Sequence, residues 1–215
     1  MAYQSTPARR RGPRGDVSAD ALARAAHGVL SSKGLSGLSL RAVARAAGVT
    51  PNVLYTYFAD MGQLRNRLGD EFLGRLELDL LRTDPPREAL RHFLRHVLAV
   101  FASSPGHVQA LAAQRVVGPH SLALNEALLE FFEDVVGHPP AIAADVTIFL
   151  TEWVHGRMML QPSDVADNAS RTALTGLDLT PYPRTVAMSP GTGEDAGIDL
   201  VVRITVPEPT TSAAG

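Results

Sequence analysis

Ser39-Leu40-Arg41-Ala42-Val43-Ala44-Arg45-Ala46-Ala47-Gly48-Val49-Thr50-Pro51-Asn52-Val53-Leu54-Tyr55-Thr56-Tyr57-Phe58 is the stretch whose reading decides the fold. Ser39 is placed to cap a helix, its hydroxyl accepting from an otherwise unpaired backbone N–H. Leu40, Val43, Ala44 and Ala47 then recur at helical spacing as a buried stripe. Gly48 follows where a left-handed residue would end that helix. Thr50-Pro51 opens another, with Thr as the cap and Pro at the first helical position, where its missing N–H costs nothing. This second helix is expected to run from Pro51 to about Phe58. Small Ala44 and Ala47 permit close approach, and Val49 and Leu54 would plug the pair. Two short helices joined at a tight glycine turn read as a helix-turn-helix.

Upstream, Leu22, Ala25, Ala26, Val29 and Leu30 describe an amphipathic helix that stops near Lys33-Gly34. Before it, Pro7-Ala8-Arg9-Arg10-Arg11-Gly12-Pro13-Arg14-Gly15 holds nothing able to build a core, so residues 1–17 read as a flexible basic arm.

Downstream the chain reads as helical throughout. Leu64, Leu68, Phe72, Leu76 and Leu80 predict one long helix to about Thr83, ended by Pro85-Pro86. Ala89 to Phe101 stripe another, stopped near Pro105. A short helix is expected over Val108–Val117, a longer one from about His120 to Gly137, and an apolar, buried one over Ala141–Leu160. Ile198 to Val206 is open between strand, by β-branching, and helix, by context; helix is the reading taken here. The fold class is all-α. A basic arm (1–17) leads to a helix-turn-helix domain (18–64), a helical ligand-binding and dimerisation domain (65–206) and a disordered tail (207–215).

Charge follows the same division. Of the 215 residues, the first 70 carry ten Lys/Arg against four Asp/Glu, a net +6, and the rest a net −8, although the whole chain is only −2. A basic front on an acidic body suits a polyanion at the front. There is no cysteine, which excludes disulfides, thiolate metal sites and a Cys nucleophile. No apolar run long enough to span a bilayer and no secretory signal is present, so a cytoplasmic location is expected. No nucleophile elbow, phosphate loop, zinc-protease helix or acid dyad is found, so an enzyme is not expected, and no cofactor is called for.

The stretch quoted above resembles the DNA-binding domain of TetR-family transcriptional regulators, above all through Ala47-Gly48-Val49-Thr50, Leu54-Tyr55-Thr56-Tyr57-Phe58 and the leucine at 64. The resemblance implies a homodimeric, ligand-controlled repressor that binds a palindromic operator. Its third helix would lie in the major groove of double-stranded DNA, and its C-terminal helices would hold the partner subunit and a small-molecule effector. The family often carries a Lys just before the linker-helix leucine. Here Asp60-Met61-Gly62-Gln63 stands instead, which removes a phosphate contact and shifts anchoring to the arm.

On that reading Thr50, Pro51, Asn52, Val53 and Thr56 face the groove. Asn52 suits adenine, Thr56 a base or phosphate, and Val53 or Pro51 a thymine methyl. The helix holds no Arg, so bidentate guanine recognition is not expected from it. Tyr57 would reach the DNA backbone or lie in the core, whereas Tyr55 would pack inward. Ser39 and Arg41 stand where a phosphate is favoured, with a merely solvated Arg41 as the alternative. Arg9, Arg10, Arg11 and Arg14 would follow phosphates or a minor groove. The candidate effector pocket is Phe93, Val97, Phe101, Gln109, Gln114, Trp153, His155 and Met158. The helix bearing the last three is equally suited to a dimer core. His92 and His96, with Glu88, have a metal-like spacing, but a polar helix face is the favoured reading and no metal is assigned. The alternative function is a helical DNA-binding adaptor or architectural protein without an effector.

Overall fold

Ser18 starts the first helix: its backbone is extended and its side chain accepts from the Ala21 N–H at 3.1 Å. This is the computed structural model of the chain, which describes residues 17–83, 85–160, 164–187 and 195–208. Helix α1 (Ala19–Gly37) buries Leu22, Ala23, Ala26, Val29 and Leu30. It breaks at Gly34, where φ is +65°, and closes with one further turn. Ser39 then caps α2 (Leu40–Ala46), accepting from the Ala42 N–H at 3.2 Å. Gly48, at φ +68°, turns the chain while the Val49 N–H reaches back to the Ala44 carbonyl at 2.9 Å.

Helix α3 (Pro51–Leu54) is shorter than expected. Beyond Leu54 the chain tightens into turns, with Thr56 N–H on the Val53 carbonyl and Tyr57 N–H on the Leu54 carbonyl. That tightening carries Phe58 into the same core as Leu54. Thr50 has the extended backbone of a cap, but its hydroxyl makes no capping bond. The Val53 N–H is taken by the Thr50 carbonyl at 3.0 Å.

Helix α4 (Met61–Leu73) is the element expected to reach Thr83. It ends at Gly74, where His120 packs close: a Cβ on Gly74 would lie 2.7 Å from His120 Nδ1. The chain resumes as a 3-10 turn, Leu78–Arg82, which returns Leu81 to the core. The body follows as α5 (Pro86–Ala102), α6 (Pro105–Ala113), α7 (Pro119–Glu130) with a wide π turn over Phe131–Val135, and α8 (Pro140–Met159). Then come α9 (Asp164–Thr175), α10 (Pro183–Val186) and α11 (Ala196–Thr205). Helix α6 begins earlier and ends earlier than its apolar run suggested, because residues 114–117 leave it to meet α4.

Residues 198–206 are helical up to Thr205. Ile198, Val201, Val202, Thr205 and Val206 are buried, a three-to-four spacing that serves a helix and not a strand. Helix α8 is not buried all round. Ala143, Thr147, Leu150 and Val154 face the core, while Ile142, Ile148, Phe149 and Met159 are exposed. Among the described residues no helix is long and apolar enough to cross a membrane.

Two apolar cores result. One joins Leu22, Leu30, Val43, Leu54, Phe58, Leu64 and Leu68 with Ala110 of α6. The other gathers α5, α7, α8 and α11 around Phe72, Phe93, Phe101, Phe131 and Phe132. Helix α4 contributes to both, so the head's core passes the expected boundary at residue 64 and takes in a residue of the body.

Candidate nucleic-acid interface and its joint with the body

The reading surface is built by subtraction. Leu54 and Phe58 are buried at 0% and 3% exposure and fix α3 to the head. Their burial turns Thr50, Pro51, Asn52 and Thr56 outward, all exposed, with Val53 half-buried. Arg41 and Arg45 of α2 are exposed beside them. Ser39 is exposed too, but its hydroxyl is engaged as the α2 cap. Arg9, Arg10, Arg11 and Arg14 lie outside the described residues, as do positions 209–215 of the expected tail.

Tyr55 corrects the sequence reading, and Tyr57 is engaged within the chain. Tyr55 does not pack inward: it is 59% exposed, because Leu54 and Phe58 occupy the core-facing positions on either side of it. The Tyr57 hydroxyl donates to the Val17 carbonyl. That bond ties Tyr57 to the approach to α1 in the free chain.

Asp60 caps α4. Its Oδ1 accepts from the Gln63 N–H at 2.8 Å, and Gln63 Oε1 in turn accepts from the Ala59 N–H at 2.6 Å. A carboxylate there satisfies the helix end and repels a phosphate.

Helix α4 grips the head with one set of side chains and the body with another. Toward α1, Arg67 bonds Asp20 and also Glu71, the latter at 2.7 Å, and Glu71 meets His27 at 2.8 Å. Burial pushes the Glu71 carboxyl up, but hydrogen bonds from Arg67 and His27 outweigh it and hold the group below its usual range. Toward the body, Asn66 clamps Val117 twice, donating to its carbonyl at 2.8 Å and accepting from its N–H at 2.9 Å. Buried Asp70 accepts from the Ser121 N–H at 2.8 Å, in the first turn of α7. None of these residues was singled out from sequence, although Asn66/Asp70 and Arg67/Glu71 each stand four apart, the spacing of helix neighbours.

The eight candidate pocket residues do not converge. Phe93, Val97 and Phe101 are buried in the body core, against which Trp153 and Met158 pack. His155 edges Phe101 at 6.2 Å between ring centroids, and its Nδ1 is bonded to the Thr151 carbonyl of its own helix. Gln109 is exposed on α6, and Gln114 donates to the Gly62 carbonyl at 3.1 Å, so both belong to the joint with the head. His96 Nε2 accepts from the Glu77 N–H at 3.1 Å and holds the turn after α4.

A helix-turn-helix head with an exposed, cation-flanked reading element is set on an all-helical body, the arrangement of helix-turn-helix proteins. Residues 22–68 match the model of the bacterial regulatory proteins of the tetR family. It is 27% identical over 140 residues to the HTH-type transcriptional repressor DrrR1 of Streptomyces coeruleorubidus, covering 64% of this chain and 52% of DrrR1. It is 37% identical over 75 residues to the HTH-type transcriptional regulator AcrR of Shigella flexneri, covering 33% of this chain and 35% of AcrR. The chain thus spans about half, or less, of the curated relatives it matches. Its fold is similar to that of the TetR-family protein ActR of Streptomyces coelicolor, solved in complex with actinorhodin. The TM-score is 0.73 at 20% identity, over 88% of this chain and 95% of ActR.

Proposed function

We propose that this chain is a ligand-responsive transcriptional repressor that binds a palindromic operator as a homodimer. The observation that carries the reading is the outward set Thr50, Pro51, Asn52 and Thr56, held on a helix whose Leu54 and Phe58 are buried. These groups suit adenine edges and thymine methyls, while Arg41 and the arm's Arg9, Arg10, Arg11 and Arg14 anchor phosphates.

The exposed apolar side of α8 supports the homodimer. Ile142, Ile148 and Phe149 stand in water in the single chain, and so do Leu174, Leu177, Tyr182 and Val186 on and after α9. Apolar exposure of this extent marks an interface. The effector reading rests on the large apolar side chains Phe93, Val97, Phe101, Trp153 and Met158, with His155 as the polar group among them. ActR, which shares the fold, holds actinorhodin in its solved structure.

The test is selection of bound duplexes from a random DNA pool with the full chain, followed by sedimentation of the complex. Recovery of an inverted repeat occupied by two subunits is expected. Recovery of no preferred sequence, or of a site bound by one subunit, overturns the reading. Screening small molecules for release of that duplex then tests the effector. No release by any compound favours the adaptor alternative.

A further inference from the structure

His27 of α1 and His107 of α6 meet across the joint between head and body. His27 Nδ1 lies 2.8 Å from His107 Nε2, and His27 Nε2 lies 2.8 Å from Glu71 Oε2. The two rings stack at 5.1 Å between centroids, and His107 also stacks on Phe72 at 4.8 Å. His107 is 1% exposed, and its other nitrogen, Nδ1, is buried with no hydrogen-bond partner among the described residues.

With both imidazoles neutral, these contacts leave one proton arrangement. The Glu71 carboxylate only accepts, so His27 Nε2 carries a hydrogen. Neutral His27 then presents Nδ1 as a lone pair, which the His107 Nε2–H fills. His107 Nδ1 remains a bare lone pair, a cheaper orphan than an unpaired N–H. A further proton finds no good place. On His107 Nδ1 it makes a buried cation with nothing to accept its N–H. On His27 Nδ1 it sets two N–H groups against each other, unless His107 moves its own hydrogen to the buried nitrogen.

The surrounding charges do not rescue it. Helix α1 contributes Asp20, and α4 contributes Glu71, Arg67 and Arg75. Arg67 binds both Asp20 and Glu71, so the carboxylate beside His27 is already compensated. From α5 comes Phe101, packed on Phe72, and from α8 comes His155, bonded within its own helix. Arg24 and Lys33 of α1 are exposed.

We propose that the His27–His107 hydrogen bond is a proton-gated latch between the reading head and the body. It is closed when both imidazoles are neutral and opened by acidification, so that operator binding weakens as pH falls. This rests on the operator reading above. Burial above all, with the Arg75 guanidinium adding to it, pushes His107 down to about 4. A base depressed in the closed state favours opening once pH falls below its ordinary value, so the window runs from about 6.5 down to about 4. By about pH 5.5 the open form gains about tenfold relative to neutral pH.

The test compares the wild-type chain with His107→Phe, which keeps a flat ring between Phe72 and His27 but has neither nitrogen. The probe is a duplex recovered from the random pool. Wild-type affinity is expected to fall by up to about tenfold between about pH 7.5 and about pH 5.5, and the variant's by less than about twofold. Equal pH dependence in the two overturns the latch and leaves the operator reading standing. Recovery of no duplex at all overturns both. If His107→Phe fails to fold, imidazole nitrogen shifts of the wild-type chain decide. A His107 bearing its hydrogen on Nε2 at about pH 7.5 and taking up a second proton only clearly below 6.5 supports the latch, and titration near 6.5, as for a free imidazole, overturns it.

Discussion

The buried carboxylate of Asp70, on α4, accepts the backbone N–H of Ser121 in the first turn of α7 at 2.8 Å. One helix thus caps another from the side. The fit is close: a Cβ on Gly118 would lie 2.4 Å from the Asp70 carboxyl carbon. Asp70→Ala leaves that N–H unpaired and is expected to cost about 2 kcal/mol, the range for a hydrogen bond to a charged group. Urea unfolding measures it. A midpoint unchanged from wild type would show that water replaces the carboxylate at no cost.

Glycine substitutions should separate by backbone geometry. Gly48 sits at φ +68°, so Gly48→Ala is expected to destabilise by about 1 kcal/mol. Gly28 lies in the middle of α1, and a Cβ there meets nothing within 4 Å. Gly28→Ala is expected to stabilise by about 1 kcal/mol, through helix propensity and a less free unfolded chain. Opposite shifts in melting temperature are the expected outcome; shifts of the same sign would contradict it.

Base readout and anchoring should divide between helices. Asn52→Ala is expected to lose about 1–3 kcal/mol at one base-pair position of the selected duplex, with its salt dependence intact. Arg41→Ala should weaken all duplexes alike and lower the salt slope by about 1. Removing residues 1–15, with their four arginines, should flatten that slope further. Affinities measured across a salt series and a set of single-base variants check all three, and an unchanged slope after arm removal would show the arm idle.

Charging the exposed side of α8 should abolish the proposed dimer without unfolding the chain. Phe149 is 38% and Ile148 57% exposed, so Phe149→Asp with Ile148→Glu disturbs little of the subunit core. Sedimentation is expected to find monomers with unaltered helicity by circular dichroism. Dimers persisting in the double variant would place the interface elsewhere.

Local chemistry was legible in the sequence. Ser39, Gly48 and Pro51 each do what their residue type dictates within a few positions of chain, and the reading head follows from them. The end of α4 was not legible. Its leucines keep their four-residue rhythm through Leu80, yet the helix ends at Gly74, where His120, far along the chain, packs close. Tyr55 misled for a related reason, since its aromatic character says nothing of which neighbour takes the core position. His27 and His107 stand 80 residues apart, and no periodicity links them. The pocket reading failed at Gln109 and Gln114 because alternating polarity cannot tell which helix lies opposite.

The two-sided grip of α4 also decides where this molecule can be divided. A chimera joined just after residue 64 would part His27 from Glu71 and Asp20 from Arg67, leaving half-filled sockets on both modules. A donor head must therefore bring α4 as far as Leu73, and must meet in its new host a histidine equivalent to His107, a strand of backbone equivalent to Val117 and a helix start equivalent to Ser121. Grafts that respect those three seats should transmit signals, whereas grafts that ignore them should fold as two deaf halves.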